Sequence, residues 1–343
     1  MRPRVLVLLI VVFLPALECL GGGRPTISGR VANARTGEPL PHANVFLANT
    51  LFGSATSSDG GFLLSGFPPG SYVLVVSCVG YEVQTRQLQP GQTDSLYLAI
   101  GLQPRLIEQQ EVVVRAERPE EWTRLLRQFK SAFIGETENA SLCTVLNPEV
   151  INLSIRPGTK ILVASADRSL LVENRGLGYR LEIILSKFEW DIDEDHGTYF
   201  IYPSFRELTP QANDSIRWAA HRKRSYEGSL KQFLASLVAG RTEEEGFQIF
   251  SGTLTDLESG FGHPTTPGEL KVERDPLSAL WNINFKEWLR VQNKKRGRML
   301  TSFLSMSGEN LQIDYRGNLA DPLRLSVVGD WARNRVAELL PLY

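Results

Sequence analysis

Histidines at positions 42, 196, 221 and 263 are the natural starting points for metal or acid–base chemistry in this sequence. A hydrolytic zinc centre needs His and Glu at short spacing plus a further His, with one coordination site open. None of the four has Glu two or three positions on, and no HExxH occurs. In DIDEDHG, Asp191, Asp193 and Asp195 stand at positions one, three and five of a calcium-loop pattern, which then asks for Gly at six and Glu at twelve. Those places hold His196 and Tyr202, so the stretch reads as a solvated hairpin turn. No GxSxG elbow, P-loop or dinucleotide fingerprint is present. The expectation is therefore a non-enzyme with no catalytic residue, metal or cofactor. A hydrolase would need a pocket gathering His196 or His221 with two carboxylates.

The most conspicuous charge feature lies in SIRWAAHRKRSYEGSLKQFLASLVAG, which reads as one long helix over Ser215 to Gly240. Arg217, His221, Arg224 and Lys231 recur at four- and seven-residue steps on one face. Ala219, Tyr226, Leu230, Phe233 and Leu237 form the opposing stripe. The basic face is the candidate binding surface, for an acidic partner, a phosphate or a lipid headgroup. The plainer alternative is a solvated face over a core stripe. NKKRGR, Asn293 to Arg298, reads as a hairpin tip. Phe62, Phe67, Tyr72 and Tyr81 are candidates for stacking on sugars, although each sits where a strand or turn packs its own core.

These residues must be positioned by a chain of 343 residues, 22% charged and 42% hydrophobic, with a formal net charge of −1. That balance gives no pull toward nucleic acid. From Pro25 to Leu102, short strands such as FLLSG and YVLVVSCV alternate with Gly/Pro turns, the signature of a β-sandwich. ISGRVANARTGEPLPHANVFL followed by TSSDGGFLLSGFPPGSYVLVVSCVGYE resembles the carboxypeptidase-like regulatory domain, a transthyretin-like sandwich. The resemblance rests on Gly29, Gly37-Glu38-Pro39-Leu40, Ala43-Asn44-Val45, Asp59-Gly60, Phe62, Pro69-Gly70, Tyr72 and Gly80-Tyr81. It implies an accessory domain of the kind found beside metallocarboxypeptidases, at the front of TonB-dependent receptors, and in envelope proteins. The first association lacks its zinc ligands here. The second lacks chain: about 240 residues follow the sandwich, too few for a 22-stranded barrel with its plug.

The division expected is a signal peptide over 1–23, the sandwich over 25–103, a strand and linker over 104–120, and a β-rich α+β domain over 121–343. The fold class is mainly β with a few helices. IEQQEVVVRAERPEE is expected to be a strand and linker, and EEWTRLLRQFKSAFIG an amphipathic helix ending at Gly135 with Trp122, Leu125, Leu126, Phe129 and Phe133 as its stripe. A second β region is expected from near Lys160. FIGETENASLCTVLNPEVI and LLVENRGLGYRLEIIL resemble the region after the regulatory domain in exported Gram-negative proteins, which implies an architecture and no catalytic residue.

Arg2 and Arg4 precede the apolar run VLVLLIVVFL, the layout of a secretory signal peptide cleaved between Cys19 and Arg24. Glu18 before Cys19 disfavours a lipoprotein. No later run is long enough for a transmembrane helix. Cys78 and Cys143 would remain in the exported chain, where one disulfide is possible. The expected localisation is periplasmic or outer-membrane associated, with an envelope protein or a glycan as partner.

Overall fold

The computed structural model describes residues 25–342 apart from 69, 89–94, 106–118, 267, 277, 279 and 296. The signal peptide with Cys19, Pro69, and most of the strand and linker expected at 107–121 lie outside the described residues. The protein is mainly β, as expected.

The first unit is a sandwich. One sheet has β1 (Thr26–Asn33) at its centre, antiparallel to β4 (Gly61–Ser65) and parallel to β7 (Leu96–Leu102). The other runs β3 (Gly53–Ala55), β2 (Asn44–Leu47), β5 (Tyr72–Ser77), β6 (Gln84–Leu88). Alternation along β1 sends Ile27 and Val31 inward, where they meet Val45, Leu47, Leu64, Leu74 and Leu98 in one buried cluster. Phe62, Phe67 and Tyr72 are buried here too, so the core reading holds for those three aromatics. Gly29 has no room for a side chain, since a Cβ would lie 2.0 Å from the Leu98 carbonyl oxygen. The Ser57–Gly61 turn uses Gly60 at φ +79 and the Asp59 carboxylate, which accepts from Ser57 Oγ and the Gly61 amide.

The second unit is a six-stranded antiparallel sheet under one helix. α1 (Pro119–Ile134) ends at Gly135 as the sequence predicts, and it lays Leu125, Leu126, Phe129 and Phe133 on the sheet. The strands are β8 (Cys143–Val145), β9 (Ile151–Ile155), β10 (Ile161–Ala166), β11 (Leu170–Asn174), β12 (Tyr179–Asp191) and β13 (His196–Glu207). β12 is the spine: it pairs with β13 along its length on one side, and with β11 and then β10 on the other. The sheet starts before Lys160, with β8, only three residues long, and with β9, INLSI, whose alternation sends Ile151 and Leu153 inward. Val336 and Ala337 return from far along the chain to complete this core.

The expected helix over Ser215–Gly240 is two helices, α2 (Asp214–Tyr226) and α3 (Leu230–Ala239). Gly228 at φ +69 breaks the first, and Ser229 starts the second by accepting a hydrogen bond from the Gln232 amide at Oγ. The break rotates the faces, so the predicted stripe does not exist as drawn. Phe233 and Leu237 are buried, whereas Ala219 and Tyr226 are exposed. α2 buries Trp218, His221 and Ser225 instead.

The third unit packs α3 with two sheets. One runs β15 (His263–Pro264), β14 (Phe247–Gly252), β18 (Trp288–Lys295), β19 (Arg298–Met306), β21 (Leu325–Gly329); the other runs β16 (Lys271–Arg274), β17 (Trp281–Asn284), β20 (Leu311–Ile313). The stretch SGTLTDLESGFG contains α4 (Leu254–Glu258), N-capped by Thr253. NKKRGR is the β18–β19 hairpin tip, with Gly297 at φ +80. No helix among the described residues is long and apolar enough to cross a membrane.

The sandwich is docked on the second unit. Its Asn49 amide donates to Pro203 O at 2.6 Å, the Phe205 amide donates to Thr50 O at 2.8 Å, and Phe46, Ala48 and Val75 cluster with Ile184 and Tyr202.

Candidate functional site

The four predicted basic residues do not form one face. Arg217 is exposed and ion-paired to Asp214 at 2.7 Å. Lys231 lies on the other helix, where Nζ donates to Pro341 O at 3.4 Å and burial lowers its pKa to about 8, opposed in part by Asp314. His221 and Arg224 do stay together, in a shallow pocket of about 300 Å³ that also holds Glu138, Asn139, Ser225 and Glu338.

That pocket meets the geometric condition set for a hydrolase, His221 beside two carboxylates, but its groups are committed to one another. Glu338 accepts from Thr137 Oγ1 at 2.6 Å, Ser225 Oγ at 2.5 Å and Asn139 Nδ2 at 3.0 Å. With its amide nitrogen so engaged, Asn139 turns Oδ1 to His221 Nδ1 at 2.8 Å. An amide oxygen only accepts, so Nδ1 carries the proton. Burial, and then Arg224, lower the imidazole's pKa and hold it neutral. Cys143 nearby is held as the thiol, its pKa raised to about 12 by burial and by Glu338. The hydrogen bonds tie Thr137 and Asn139 before β8, α2 and segment 336–338 into a knot. His196, the other candidate, is exposed in the β12–β13 hairpin, where Asp191 Oδ1 accepts from the Asp193 and Glu194 amides and so closes the turn.

A larger site lies where the sandwich meets the six-stranded sheet. This cleft has a volume of about 790 Å³. The sandwich contributes His42, Asn44, Tyr81 and Glu82 to one wall, with Arg105 following β7; the sheet contributes Glu149, Asp167, Arg168, Glu182 and Tyr202 to the other. Local folding fixes these positions. The Tyr81 turn is held against the end of β7 by Arg105 N to Gly80 O and Glu82 N to Gln103 O, both 2.8 Å. Asn44 Nδ2 donates to Glu182 Oε1 at 2.7 Å and so spans the two units. Asp167 and Arg168 form the exposed turn between β10 and β11, with Asp167 accepting from Asn152 Nδ2. Burial raises the Tyr202 pKa against a hydrogen bond to Thr85, and Tyr81 Oη accepts from Asn33 Nδ2. The Tyr202 phenol therefore stays neutral. Cys78 in the same wall is a free thiol, its pKa raised by burial, and Cys143 is free as well.

Chemically, the cleft offers guanidinium and amide donors, four carboxylate acceptors and two phenol rings. That mixture suits a ligand dense in hydroxyl groups. Of the four aromatics singled out from the sequence, Tyr81 alone lines this cleft. Apart from His42, weighed only as a metal ligand, the other wall residues were missed, because they come from well-separated segments of the chain with no local signature.

A family profile described as CarboxypepD_reg-like domain matches residues 27–114. No curated protein matches the chain. Among solved structures, a type II cohesin–X-dockerin complex from Acetivibrio cellulolyticus is 19% identical, with a TM-score of 0.21, over 23% of this chain and 58% of that one, little more than half its length. A Bacteroides fragilis protein described as membrane-associated and of unknown function is 11% identical over 81% of this chain and 93% of that one, at a TM-score of 0.19. A Bacteroides uniformis protein described as carbohydrate binding is 7% identical over 84% and 98%, at 0.20. Scores this low support no statement about fold or function.

Proposed function

With residues 27–114 a CarboxypepD_reg-like domain, a non-catalytic β-sandwich of regulatory type, we propose that this is an exported binding protein of a Gram-negative envelope that holds a glycan in the cleft between that domain and the six-stranded sheet. The observation that carries the reading is the cleft itself. It is large enough for a few sugar rings, within the range of about 300–1,000 Å³ usual for ligand sites. Its walls carry charged hydrogen-bonding groups together with Tyr81 and Tyr202. In this reading the sandwich serves as one wall of a site, and the Asn44–Glu182 hydrogen bond keeps the two walls in register.

A glycan array, followed by calorimetry on the best hit, tests the binding. Asp167→Ala combined with Arg168→Ala removes two exposed side chains from the rim. The pair is expected to weaken the hit at least ten-fold while leaving the melting temperature unchanged. Equal affinity of the variant, or no saturable glycan at all, refutes the reading.

Export is tested separately. Mass spectrometry of the protein recovered from the envelope is expected to give an N-terminus between residues 19 and 25, as the charged, apolar and small-residue order of the leader requires. Intact Met1 in that fraction counts against it.

A further inference from the structure

The third unit contains a groove of about 920 Å³ that neither the cleft nor the glycan reading uses. It runs along the β14 side of the five-stranded sheet, between the end of α3 and the chain entering β16. Leu237, Phe247, Ile249, Leu270, Val272 and Met299 supply its apolar lining. The groove has a physical origin. The three-stranded sheet is built from strands of three and four residues, while β14, β18 and β19 have six, eight and nine. The shorter sheet cannot cover the longer one. Ile249, Leu270 and Val272 are left only partly buried against the core, and Met299 is 51% exposed. Water-exposed methylene and methyl surface of this extent carries a free-energy cost that an apolar occupant relieves.

We propose that this groove holds the acyl chain of a single-chain zwitterionic lipid, a lysophospholipid with an ammonium and a phosphate in its headgroup. The charges lining the groove select the headgroup. Glu243, between α3 and β14, and Lys294, on the β18–β19 hairpin opposite Met299, both line it and both are exposed. Neither is in an ion pair among the described residues. A carboxylate and an ammonium at one apolar groove complement a ligand carrying both opposite charges; a fatty acid satisfies only Lys294 and brings its own carboxylate toward Glu243. The volume also lies within the range of about 300–1,000 Å³ typical of small-molecule sites. Part of the basic hairpin thus has a role in head-group choice.

The test uses the full mature chain and dansyl-undecanoic acid, a fluorescent fatty-acid probe, displaced by 1-oleoyl-lysophosphatidylethanolamine or by oleate. Saturable probe binding is expected, with the lysophospholipid displacing it at lower concentration than oleate. Met299→Glu places a charge at a position that is already exposed, so the fold is retained, and it is expected to weaken both ligands at least ten-fold. Glu243→Lys is expected to shift the preference two- to five-fold toward oleate, the size ordinary for exposed charge pairs. Circular dichroism melting confirms that both variants are folded. Three results overturn the proposal: no saturable probe binding, unchanged affinity in Met299→Glu, or oleate binding the wild type at least as tightly as the lysophospholipid. The glycan array reads a different surface, so failure of one assignment is distinguishable from failure of the other.

Discussion

Gly178→Ala is expected to destabilise the protein by about 2–5 kcal/mol, by forcing α2 off the sheet. Gly178 sits at φ +74, where an added Cβ costs about 1 kcal/mol or more on backbone grounds alone. That Cβ would also lie 2.2 Å from Trp218 Cδ2, an overlap no rotamer of a buried indole relieves cheaply. Overpacking of this sort costs about 1–3 kcal/mol. The indole has little freedom to retreat. Its Nε1 donates to Arg175 O at 2.8 Å, Arg222 Nε donates to Leu177 O at 2.8 Å, and the Arg222 guanidinium lies 4.0 Å from the centre of the Tyr179 ring. The Arg175–Gly178 turn is therefore the seat on which α2 rests. Urea denaturation followed by tryptophan fluorescence measures the loss. Adding Trp218→Ala to Gly178→Ala should recover part of it, so that the two effects are strongly non-additive. A Gly178→Ala protein within 0.5 kcal/mol of wild type would show that the seat yields and that α2 is held elsewhere.

Phe233→Ala is expected to cost about 3–5 kcal/mol. Phe233 is fully buried, with the rings of Phe247 at 5.4 Å and Trp331 at 5.3 Å. It is the point at which α3, β14 and the segment after β21 meet, so truncation opens a cavity bounded by three elements that cannot all collapse into it. Trp331 is further anchored by Nε1 donating to Gly228 O at 2.7 Å, which couples the cavity to the break between α2 and α3. Denaturant titration reports the loss, and the near-ultraviolet circular dichroism of the indole should weaken with it. A change below 1 kcal/mol would mean that α3 adds little to this core.

The aromatic Phe233 was legible in the sequence although its helix was drawn wrongly, and the reason is instructive. A phenylalanine among Leu234, Leu237 and Val238 belongs to a core under either helix boundary. The break itself was written in Glu227-Gly228-Ser229, a C-terminal glycine followed by an N-capping serine, but a 3.6-residue period carried through it looked continuous. His221 fell on the buried face of α2 for the same reason: with the helix split, its orientation is set by Trp218 on the Gly178 seat rather than by the α3 stripe. The sandwich was readable because its turns are local, with Gly60 and Asp59 announcing their own geometry. The cleft was not, because Asn44 and Glu182 are adjacent only after two units dock. Non-local pairings of that kind leave no period to find.

The return of residues 336–342 has a consequence for how the protein is made. Val336 and Ala337 complete the core under α1, and the Leu342 amide donates to Asn49 O at 2.7 Å, closing contacts about 290 residues apart in the chain. During synthesis at about 5–20 residues per second, the stretch between α1 and Val336 takes on the order of ten to forty seconds to emerge. The sandwich needs nothing beyond β7 for its own core, so it can fold during that wait. Phe129 and Phe133 cannot finish packing until it is over. The nascent middle unit therefore passes through a prolonged interval with an incomplete apolar core, and this is the stage at which a chaperone that shields exposed aromatics would have the greatest effect on yield.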